Sequence, residues 1–478
     1  MRVRGSVQLQ QQSARPNVAG ADYPLRIVER GFFMRDHSKH IELSRQQAVE
    51  GILGLCDFGA IEDRVELVSL AEAQGRVLAR DVLAQTETPN VLTCCMDSIA
   101  VRWEDFENGD PDTSTWVRGV NWQFANTGIA MPAGFDTAIV IEHVAVSEDQ
   151  QRVSIDAAPS KRFAGTRPAG STQKVGDVLA AAGTVVTPDV MAQIAGGNVT
   201  SVPVVRKPRV AFIPTGNELI APGGIVPAGR NLETNSILAR GKIKQWGGQP
   251  MIFDIVPDIP ERIEAAVLDA CALADIVVLN AGSSKGSDDW SCEQLEALGQ
   301  VVCHETNHGP GHHSSYAYVN GTPVVGISGP SGGASFTMNF YLRPLMRTWL
   351  GLPAEPARII ARLTEAFPGK GPKNDAVKSL ADETAAEAAA AEAHKREKAQ
   401  TLRADGEVRP SVVNPGATFY GIKFVMLSQG ADGMLQATPV AGHAGSRETW
   451  HANAYYMMPS GPGIKPPAAG DLIEVELR

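Results

Sequence analysis

Two short apolar runs in the middle of the chain constrain its fold more than any other feature, because each ends in small, polar and acidic residues. Val210-Ala-Phe-Ile-Pro214 leads directly into Thr215-Gly-Asn-Glu-Leu219, and Ile276-Val-Val-Leu-Asn280 leads directly into Ala281-Gly-Ser-Ser-Lys-Gly-Ser-Asp-Asp289. Runs of this length and composition are typical of buried parallel strands. Ligands bind open α/β sheets at the carboxyl ends of the strands, so both loops are predicted to border one crevice. Small residues let backbone N–H groups approach an anion there, and the acidic side chains of the two loops suit a hard metal ion.

The chain around these runs alternates between strand and helix. Strands are predicted at 210–214, 250–256, 276–280 and 301–305, and helices at 235–247, 259–274, 289–298 and 333–350. Alternation of this kind over residues 207–351 predicts a parallel sheet that is covered by helices on both faces. Asn320-Gly321 stands between two apolar runs and therefore predicts a β-hairpin within this region.

The rest of the chain divides by composition. Short β-rich runs separated by Gly, Pro, Asn and Asp predict a small β module before the α/β region. Ser44 is the predicted N-cap of a helix, and Leu70–Ala84 is predicted to form another. The predicted organisation is a disordered extension 1–40, an N-terminal domain 41–90 plus 165–206, an inserted β module 91–164, an α/β domain 207–353, and a C-terminal β domain 354–478 with a low-complexity insertion 369–409.

Composition excludes several classes of protein. A formal net charge of −10 argues against nucleic acid as the main partner, since phosphate binding requires a basic face. No apolar run approaches the roughly 18–20 residues that span a bilayer, and Met1–Gln12 lacks an apolar signal core, so a cytoplasmic protein is expected. Six cysteines without a C-x-x-C pair form neither a zinc knuckle nor a disulfide framework.

Six blocks of residues match the motifs of one known family in their order and spacing. The blocks are Gly75-Arg-Val-Leu-Ala79 with Met96-Asp97-Ser-Ile-Ala-Val-Arg102, Asn126-Thr-Gly-Ile-Ala-Met-Pro-Ala-Gly-Phe-Asp136, Thr215-Gly-Asn-Glu-Leu219, Gly229-Arg-Asn-Leu-Glu-Thr-Asn235, Ala281-Gly-Ser-Ser-Lys-Gly-Ser-Asp-Asp289 and Ala469-Gly-Asp471. The first five resemble the patterns GRVLA…MDGYAVR, TGAxxPxGAD, TGDEL, GQIxDSN and GGVSxGxxD. The chain thus resembles the molybdopterin molybdenumtransferases, whose animal counterpart is the E domain of gephyrin, over about residues 42–353 and, more weakly, 411–478.

The resemblance implies a fold and a reaction. Members of the family combine an elongated N-terminal domain, a β module, a molybdopterin-binding α/β domain and a C-terminal β-barrel-like domain. They take adenylylated molybdopterin and molybdate, insert molybdenum into the dithiolene and release AMP, with Mg²⁺ as the divalent cation. They are homodimers in which the α/β domain of one subunit faces the β module of the other. A molybdopterin adenylyltransferase or a recipient molybdoenzyme is the protein partner that the resemblance implies.

The resemblance also implies which residues form the site. The catalytic acids would be Asp97, Glu218, Asp258 and Asp289, and Glu218 and Asp289 would hold the metal. The residues that would bind the cofactor are Thr127, Gly128, Thr215, Gly216, Asn235, Gly282, Ser283, Ser284, Lys285, Gly286, His312, Gly329 and Ser331.

Each acidic residue also has a purely structural interpretation. Glu218 would be an acid at a turn, and Asp289 would be the N-cap of the following helix. Asp258-Ile-Pro-Glu261 has the pattern of a capping box with proline early in the first turn, so capping and catalysis are equally supported at Asp258.

The chain departs from the family pattern in two loops. Gly309 and His312 stand where the family has phosphate-binding lysines, and Ile327-Ser-Gly-Pro-Ser-Gly-Gly-Ala334 replaces LPGNPVSA. His304, His308 and His313 accompany His312, so a zinc site is an alternative to anion contact through His312. Two alternative functions follow from the departures: a molybdopterin carrier or sensor that inserts no metal, and a transferase specific for tungstate.

Overall fold

The computed structural model describes residues 41–280, 291–368 and 418–478, and for residues 291–293 the backbone alone. These residues all belong to one unit of the chain, residues 41–478. The predicted extension 1–40 and the predicted insertion 369–409 lie outside the described residues. No helix among those described combines the length and apolar content that a membrane span requires.

Residues 41–205 form short strands, short helical turns and the helices α1 (Arg45–Leu55) and α2 (Pro188–Gly196). The strands are β1 (Glu42–Leu43), β2 (Val65–Ser69), β3 (Val82–Leu83), β4 (Thr93–Cys94), β5 (Ser98–Val101), β6 (Gln123–Ala125), β7 (Thr137–Val140), β8 (Val144–Val146), β9 (Val153–Ile155), β10 (Thr166–Arg167), β11 (Val178–Ala180) and β12 (Ser201–Val205). The 3₁₀ turns are Ile61–Arg64, Leu70–Glu72, Trp103–Phe106, Thr113–Thr115 and Ile141–His143.

Helix α1 begins as its sequence predicts. The Ser44 side chain accepts a hydrogen bond from the Gln47 backbone N–H at 3.2 Å, and the Gln47 side chain accepts one from the Ser44 N–H at 3.1 Å. This reciprocal pair is a capping box, which satisfies donors that the first helical turn leaves without partners.

The prediction of a helix at Leu70–Ala84 is wrong. Only the 3₁₀ turn Leu70–Glu72 is helical, and Gly75 then takes a φ of +74° that breaks the turn. Val77 and Leu78 form bridges with Val185 and Val204 instead. Tertiary pairing with strands distant in sequence therefore overrides the local helical propensity.

Residues 41–205 contain two groups of small β-sheets. β2 pairs with β12 and β3 with β11, both antiparallel, around a core that includes Leu78, Ile194 and Val202. In the β module, β5 lies between β6 and β7, and β8 pairs with β9. Trp122 is fully buried in the core of that module.

Residues 209–349 form the α/β region. Its strands are β13 (Arg209–Pro214), β14 (Leu219–Ile220), β15 (Asn231–Leu232), β16 (Gln249–Ile252), β17 (Ile276–Asn280), β18 (Gln300–Cys303), β19 (Glu305–Thr306), β20 (His308–Gly309), β21 (Ser315–Val319) and β22 (Thr322–Ile327). Its helices are α3 (Asn235–Gln245), α4 (Pro260–Leu273), α5 (Ser291–Leu298), α6 (Ser331–Thr337) and α7 (Arg343–Trp349), and the π-helical turn Met338–Leu342 joins the last two.

The main sheet has the order β16-β13-β17-β22-β21-β18. β16, β13, β17 and β22 pair in parallel, and β21 is antiparallel to both of its neighbours. The hairpin predicted at Asn320-Gly321 joins β21 to β22, and both residues have positive φ, +47° and +84°. One face of the sheet packs on α4 and α5, and the other on α1, α3, α6 and α7. The predicted parallel α/β fold is thereby confirmed.

Helix α1 packs on this sheet. Its residues Ala48, Val49 and Ile52 share a core with Val210 and Phe212 of β13, and β1 pairs in parallel with β19. The apolar face of α1 is therefore covered by the α/β sheet.

The C-terminal region is a closed barrel, as expected. Its strands are β23 (Arg358–Leu363), β24 (Phe419–Gln429), β25 (Leu435–Pro439), β26 (Ala454–Ser460) and β27 (Leu472–Leu477), with a 3₁₀ turn at Arg447–His451. The strands pair in the circle β24-β25-β23-β27-β26, and β26 pairs back to β24. β20 of the α/β region adds to β24 in parallel and continues the barrel sheet.

Arg45 connects α1 to the barrel through a buried ion pair. Its guanidinium lies 2.5 Å from Glu476 and 3.0 Å from Glu355, and it covers the Phe340 ring at 4.1 Å. The Tyr455 hydroxyl donates to the second oxygen of Glu476 at 2.6 Å. The attraction of these neighbours outweighs burial and raises the pKa of Arg45 above its usual value.

We expect Glu476→Gln to destabilise the protein by about 3 kcal/mol, because the substitution leaves Arg45 as a buried charge without its closest partner. Thermal unfolding followed by circular dichroism measures this as a lowered midpoint. Glu474→Gln is the matched control, since Glu474 is an exposed residue of the same strand and pairs with Arg358 at the surface. That control should cost less than about 1 kcal/mol. Equal effects of the two substitutions would contradict the assignment.

Candidate active site

Three neighbouring strands of the parallel sheet end at one edge. Pro214 at the end of β13 lies beside Asn280 at the end of β17, and Asn280 lies beside Ile327 at the end of β22. The backbone N–H and the hydroxyl of Thr215 both donate to the Asn280 carbonyl, at 2.9 and 3.0 Å. The loops that follow these strands therefore start from the same edge, where open α/β sheets bind their ligands.

Asn235, the first residue of α3, ties two of these strand ends together. Its buried amide nitrogen donates to the Asn280 side-chain oxygen and to the Gly329 carbonyl, both at 2.7 Å. The Asn235 side-chain oxygen is buried and has no hydrogen-bond partner within the described residues. The structure thus brings together Thr215, Asn235 and Gly329, which the resemblance assigned to cofactor binding. Asn280 was not among the predicted residues, although an amide that ends an apolar strand is a signal in the sequence.

The loop after β13 carries Glu218 at the surface. Gly216 has a φ of +147°, and a Cβ at this position would lie 2.8 Å from a carboxylate oxygen of Glu218. The absence of a side chain at Gly216 is what lets the Glu218 carboxylate fold back over the loop. Glu218 is exposed, so its carboxylate is available to a ligand.

Asp258 fixes the same loop from the segment before α4. Its carboxylate accepts from the Asn217 backbone N–H at 3.0 Å, and its own N–H donates to the Asn217 side chain at 3.2 Å. Helix α4 begins at Pro260 with Ile259 as its N-cap and without a side-chain cap, so the capping interpretation of Asp258 is wrong. Proline at the first helical position is present as the sequence predicts.

Asp97 and Thr127 form a second group of predicted site residues, on the β module. The Thr127 backbone N–H and hydroxyl both donate to one oxygen of Asp97 at 3.2 Å. Gly128 follows with a φ of +74°, and its N–H donates to the Cys94 carbonyl at 2.9 Å. All three residues are exposed, so the pair presents a carboxylate and a hydroxyl on the module's surface.

A cavity of about 570 Å³ lies between the α/β region and the barrel. Of the predicted residues, His312 lines this cavity. Ser331 is the exposed first residue of α6 and stands in the chain between two lining residues, Pro330 and Gly332. Ser328 and His443 were not predicted, and His313 was predicted only as part of the alternative zinc site. The lining residues are Pro310, Gly311, His312, His313, Ser328, Pro330, Gly332, Gly333, Ile422, Phe424, Gly442, His443 and Ala444.

Two glycines shape one wall of this cavity. A Cβ on Gly332 would lie 2.4 Å from the Ala444 carbonyl oxygen, and a Cβ on Gly333 would lie 2.3 Å from the Ser328 hydroxyl. The start of α6 therefore approaches the barrel more closely than any side chain at these positions would allow. The Ser328 hydroxyl is buried and has no hydrogen-bond partner in the part of the chain that the structure describes.

The histidines near this segment are held by different neighbours. His304 lies 2.7 Å from Glu296, and His313 lies 3.3 Å from Glu305. His308 is fully buried at 2.6 Å from the Tyr341 hydroxyl, and burial together with repulsion from Arg45 lowers its pKa to about 3. The His312 and His313 rings lie against each other at a tilt of 44°, with centroids 3.6 Å apart. Among the described residues no three His, Cys, Asp or Glu side chains are arranged to hold a metal, so the zinc alternative gains no support.

The loop after β17 carries the remaining predicted residues. Gly282, Ser283, Ser284, Lys285 and Gly286, assigned to the cofactor, and Asp289, assigned to the metal, lie outside the described residues. Asn280 marks the point from which this loop starts.

Comparison with known proteins identifies two regions of the chain. The family described as "MoeA N-terminal region (domain I and II)" matches residues 43–196, and the "Probable molybdopterin binding domain" matches residues 211–348. Two matches along one chain, in this order, together cover more than half of its 478 residues.

Curated proteins resemble the chain at moderate identity. A molybdopterin molybdenumtransferase of Bacillus subtilis (strain 168) is 27% identical over 353 residues, which cover 69% of this chain and 81% of that protein. Molybdopterin molybdenumtransferase 2 of Mycobacterium tuberculosis (strain ATCC 25618 / H37Rv) is 27% identical over 312 residues, which cover 60% of this chain and 75% of that protein.

Solved structures share the fold. The molybdopterin biosynthesis moeA protein from Pyrococcus horikoshii OT3 matches with a TM-score of 0.64 and 19% identity, covering 91% of this chain and 100% of that one. At this identity the match concerns the arrangement of domains alone.

We expect Gly332→Ala to destabilise the protein by about 1–3 kcal/mol, because the new methyl group would push the start of α6 away from Ala444. The midpoint of thermal unfolding measures the loss. Gly241→Ala is the matched control, since Gly241 lies within α3 with open space at its Cβ. A helix interior favours alanine over glycine by roughly 0.5–1 kcal/mol, so the control should raise the midpoint. A Gly332→Ala protein as stable as wild type would refute the close approach.

Proposed function

The chain belongs to the MoeA family, and we propose on that premise that it is a molybdopterin molybdenumtransferase. It would take adenylylated molybdopterin and molybdate, insert molybdenum into the dithiolene and release AMP. The relatives named molybdopterin molybdenumtransferase match over most of their length, which supports the assignment.

The observation that carries the proposal is the junction at Asn235. This side chain joins the ends of β17 and β22, and Thr215 joins the end of β13 to the same Asn280. Rigid strand ends that share one buried hydrogen-bond network hold their loops in a fixed relation. A substrate that spans these loops would therefore meet preorganised groups, which is what transition-state stabilisation requires.

The cavity next to this edge suits the anionic end of the substrate. Its polar side chains are the imidazoles of His312, His313 and His443 and the Ser328 hydroxyl, and none of the described residues that line it is acidic. A phosphate there would meet imidazole N–H donors, and the neighbouring Glu305 carboxylate lies 3.3 Å from the His313 ring. His312 would take the place that the family gives to lysine.

Mg²⁺ is the divalent ion proposed for this reaction. Glu218 supplies an exposed carboxylate, the oxygen donor that Mg²⁺ prefers, and its partner in the proposed site is Asp289. When bound, the ion would neutralise charge that develops on the phosphate. Asp258 contributes by fixing the Asn217 backbone, which positions the neighbouring Glu218.

Asp97, Thr127 and Gly128 are proposed to act across a homodimer. They stand exposed on the β module, and the proposed arrangement places them at the α/β domain of the partner subunit. The proposal also includes a cytoplasmic location and contact with a molybdopterin adenylyltransferase or a recipient molybdoenzyme.

The first test measures AMP release from adenylylated molybdopterin with Mg²⁺, with and without molybdate or tungstate. We expect oxyanion-dependent release that Glu218→Gln lowers on the order of 100-fold, because a group that stabilises charge at the reacting phosphate is removed. Glu261→Gln is the control, since Glu261 is an exposed acid in the first turn of α4. Tight pterin binding without AMP release would overturn the transferase and leave a carrier or sensor, and dependence on tungstate alone would assign that metal.

The second test asks whether Asp97 and Glu218 of different subunits complete one site. We expect Asp97→Asn and Glu218→Gln each to be inactive alone. Co-expression of the two variants should restore about a quarter of wild-type activity, because half of the dimers would contain one intact site out of two. No recovery in isolated mixed dimers would show that both residues act within one subunit.

A further inference from the structure

Three positively charged side chains gather where α3, α7 and the end of the barrel meet. The basic cluster consists of Lys242 on α3, Arg343 at the start of α7 and Arg478 directly after β27. The Lys242 ammonium donates to the Asn339 side chain at 2.6 Å. Lys242 and Arg343 lie 5.2 and 5.9 Å from the centre of the Trp246 ring.

Arg478 completes the cluster from the barrel. Its guanidinium lies 5.6 Å from the Phe424 ring and donates to the Thr449 carbonyl. Arg478 and Arg343 are both close enough to Lys242 to repel its charge. Burial, followed by this repulsion, lowers the pKa of Lys242 to about 8. Elements of the α/β region and of the barrel thus contribute to one concentration of positive charge.

None of the three cations forms an ion pair with a carboxylate among the described residues, whereas other arginines that contact aromatic rings do form one. Arg45 is paired with Glu476, and Arg206 with Asp275. Lys242 and Arg343 are half-buried, so water screens their repulsion less than at an open surface. The chain as a whole carries a formal net charge of −10, whereas the basic cluster is locally positive.

We propose that the basic cluster binds a small tetrahedral oxyanion of the phosphate, sulfate or molybdate type. Such an anion would accept hydrogen bonds from the ammonium and the two guanidinium groups. A compact anion suits the site, because Lys242 and Arg343 lie only 5.2 and 5.9 Å from the Trp246 ring centre and Lys242 is held by the buried Asn339. None of the three cations lines the cavity of the proposed active site, so the two sites are distinct.

The test measures oxyanion binding to the full chain without pterin. Isothermal titration calorimetry with phosphate, sulfate and molybdate, each at an ionic strength held constant with NaCl, separates specific binding from screening. We expect saturable binding of at least one oxyanion, and we expect Lys242→Met to weaken it about tenfold or more, since a charge-assisted contact is lost. Lys244→Met is the matched control, because Lys244 is an exposed lysine one position beyond Ile243 on the same helix. The control should bind as wild type does.

Two further readouts separate the basic cluster from any other anion site. Saturating oxyanion should raise the unfolding midpoint of wild type more than that of Lys242→Met, because ligand binding stabilises the folded state by an amount that increases with affinity. Wild-type affinity should fall as the pH rises through about 8, where Lys242 loses its proton. Absence of saturable binding, or equal affinity of Lys242→Met and wild type, would overturn the proposal. Neither result depends on transferase activity, which the AMP assay tests separately.

Discussion

The parallel pairing of β13 with β17 is the constraint on which the rest of the site depends. It sets Pro214 beside Asn280, and the adjoining pair of β17 with β22 sets Asn280 beside Ile327. Once this register is fixed, the loops after these strands begin at one edge. Asn235 and Thr215 then bind the same Asn280, one through its side chain and the other through its carbonyl. A slip by one residue would turn every side chain of a strand to the opposite face and remove this junction.

Sequence patterns predicted the strands and helices that position this site well, because these elements depend on local signals in the sequence. Apolar runs and helical spacing placed the strands and helices of the α/β sheet within a few residues, and Asn320-Gly321 gave the hairpin. Thr215 and Asn235 were predicted from their motifs, and the structure brings them to one strand edge. What the patterns missed depends on contacts between distant segments. His443 reaches the cavity from the C-terminal region, and Asn280 contacts two residues that are distant in sequence. In Leu70–Ala84, bridges to Val185 and Val204 replace the helix that the local sequence favours.

Charge is distributed unevenly between the cavity and the basic cluster. The cavity contains histidines and a hydroxyl as its polar side chains. The basic cluster instead consists of one ammonium and two guanidinium groups. Phe424 stands between the two, since its ring lines the cavity and also faces Arg478. Phe424 of the barrel therefore borders both regions.

The ion pair between Arg45 and Glu476 joins positions 431 residues apart. During synthesis Arg45 emerges early, and its partner emerges only after the α/β sheet and most of the barrel have left the ribosome. Until then the first turn of α1 carries a cation that a closed interior would not tolerate. Helix α1 therefore lacks its closest ionic partner until β27 is in place, although Glu355 is synthesised earlier. The first turn of α1 and the last described strand of the barrel are coupled in this sense, because one buried ion pair holds both.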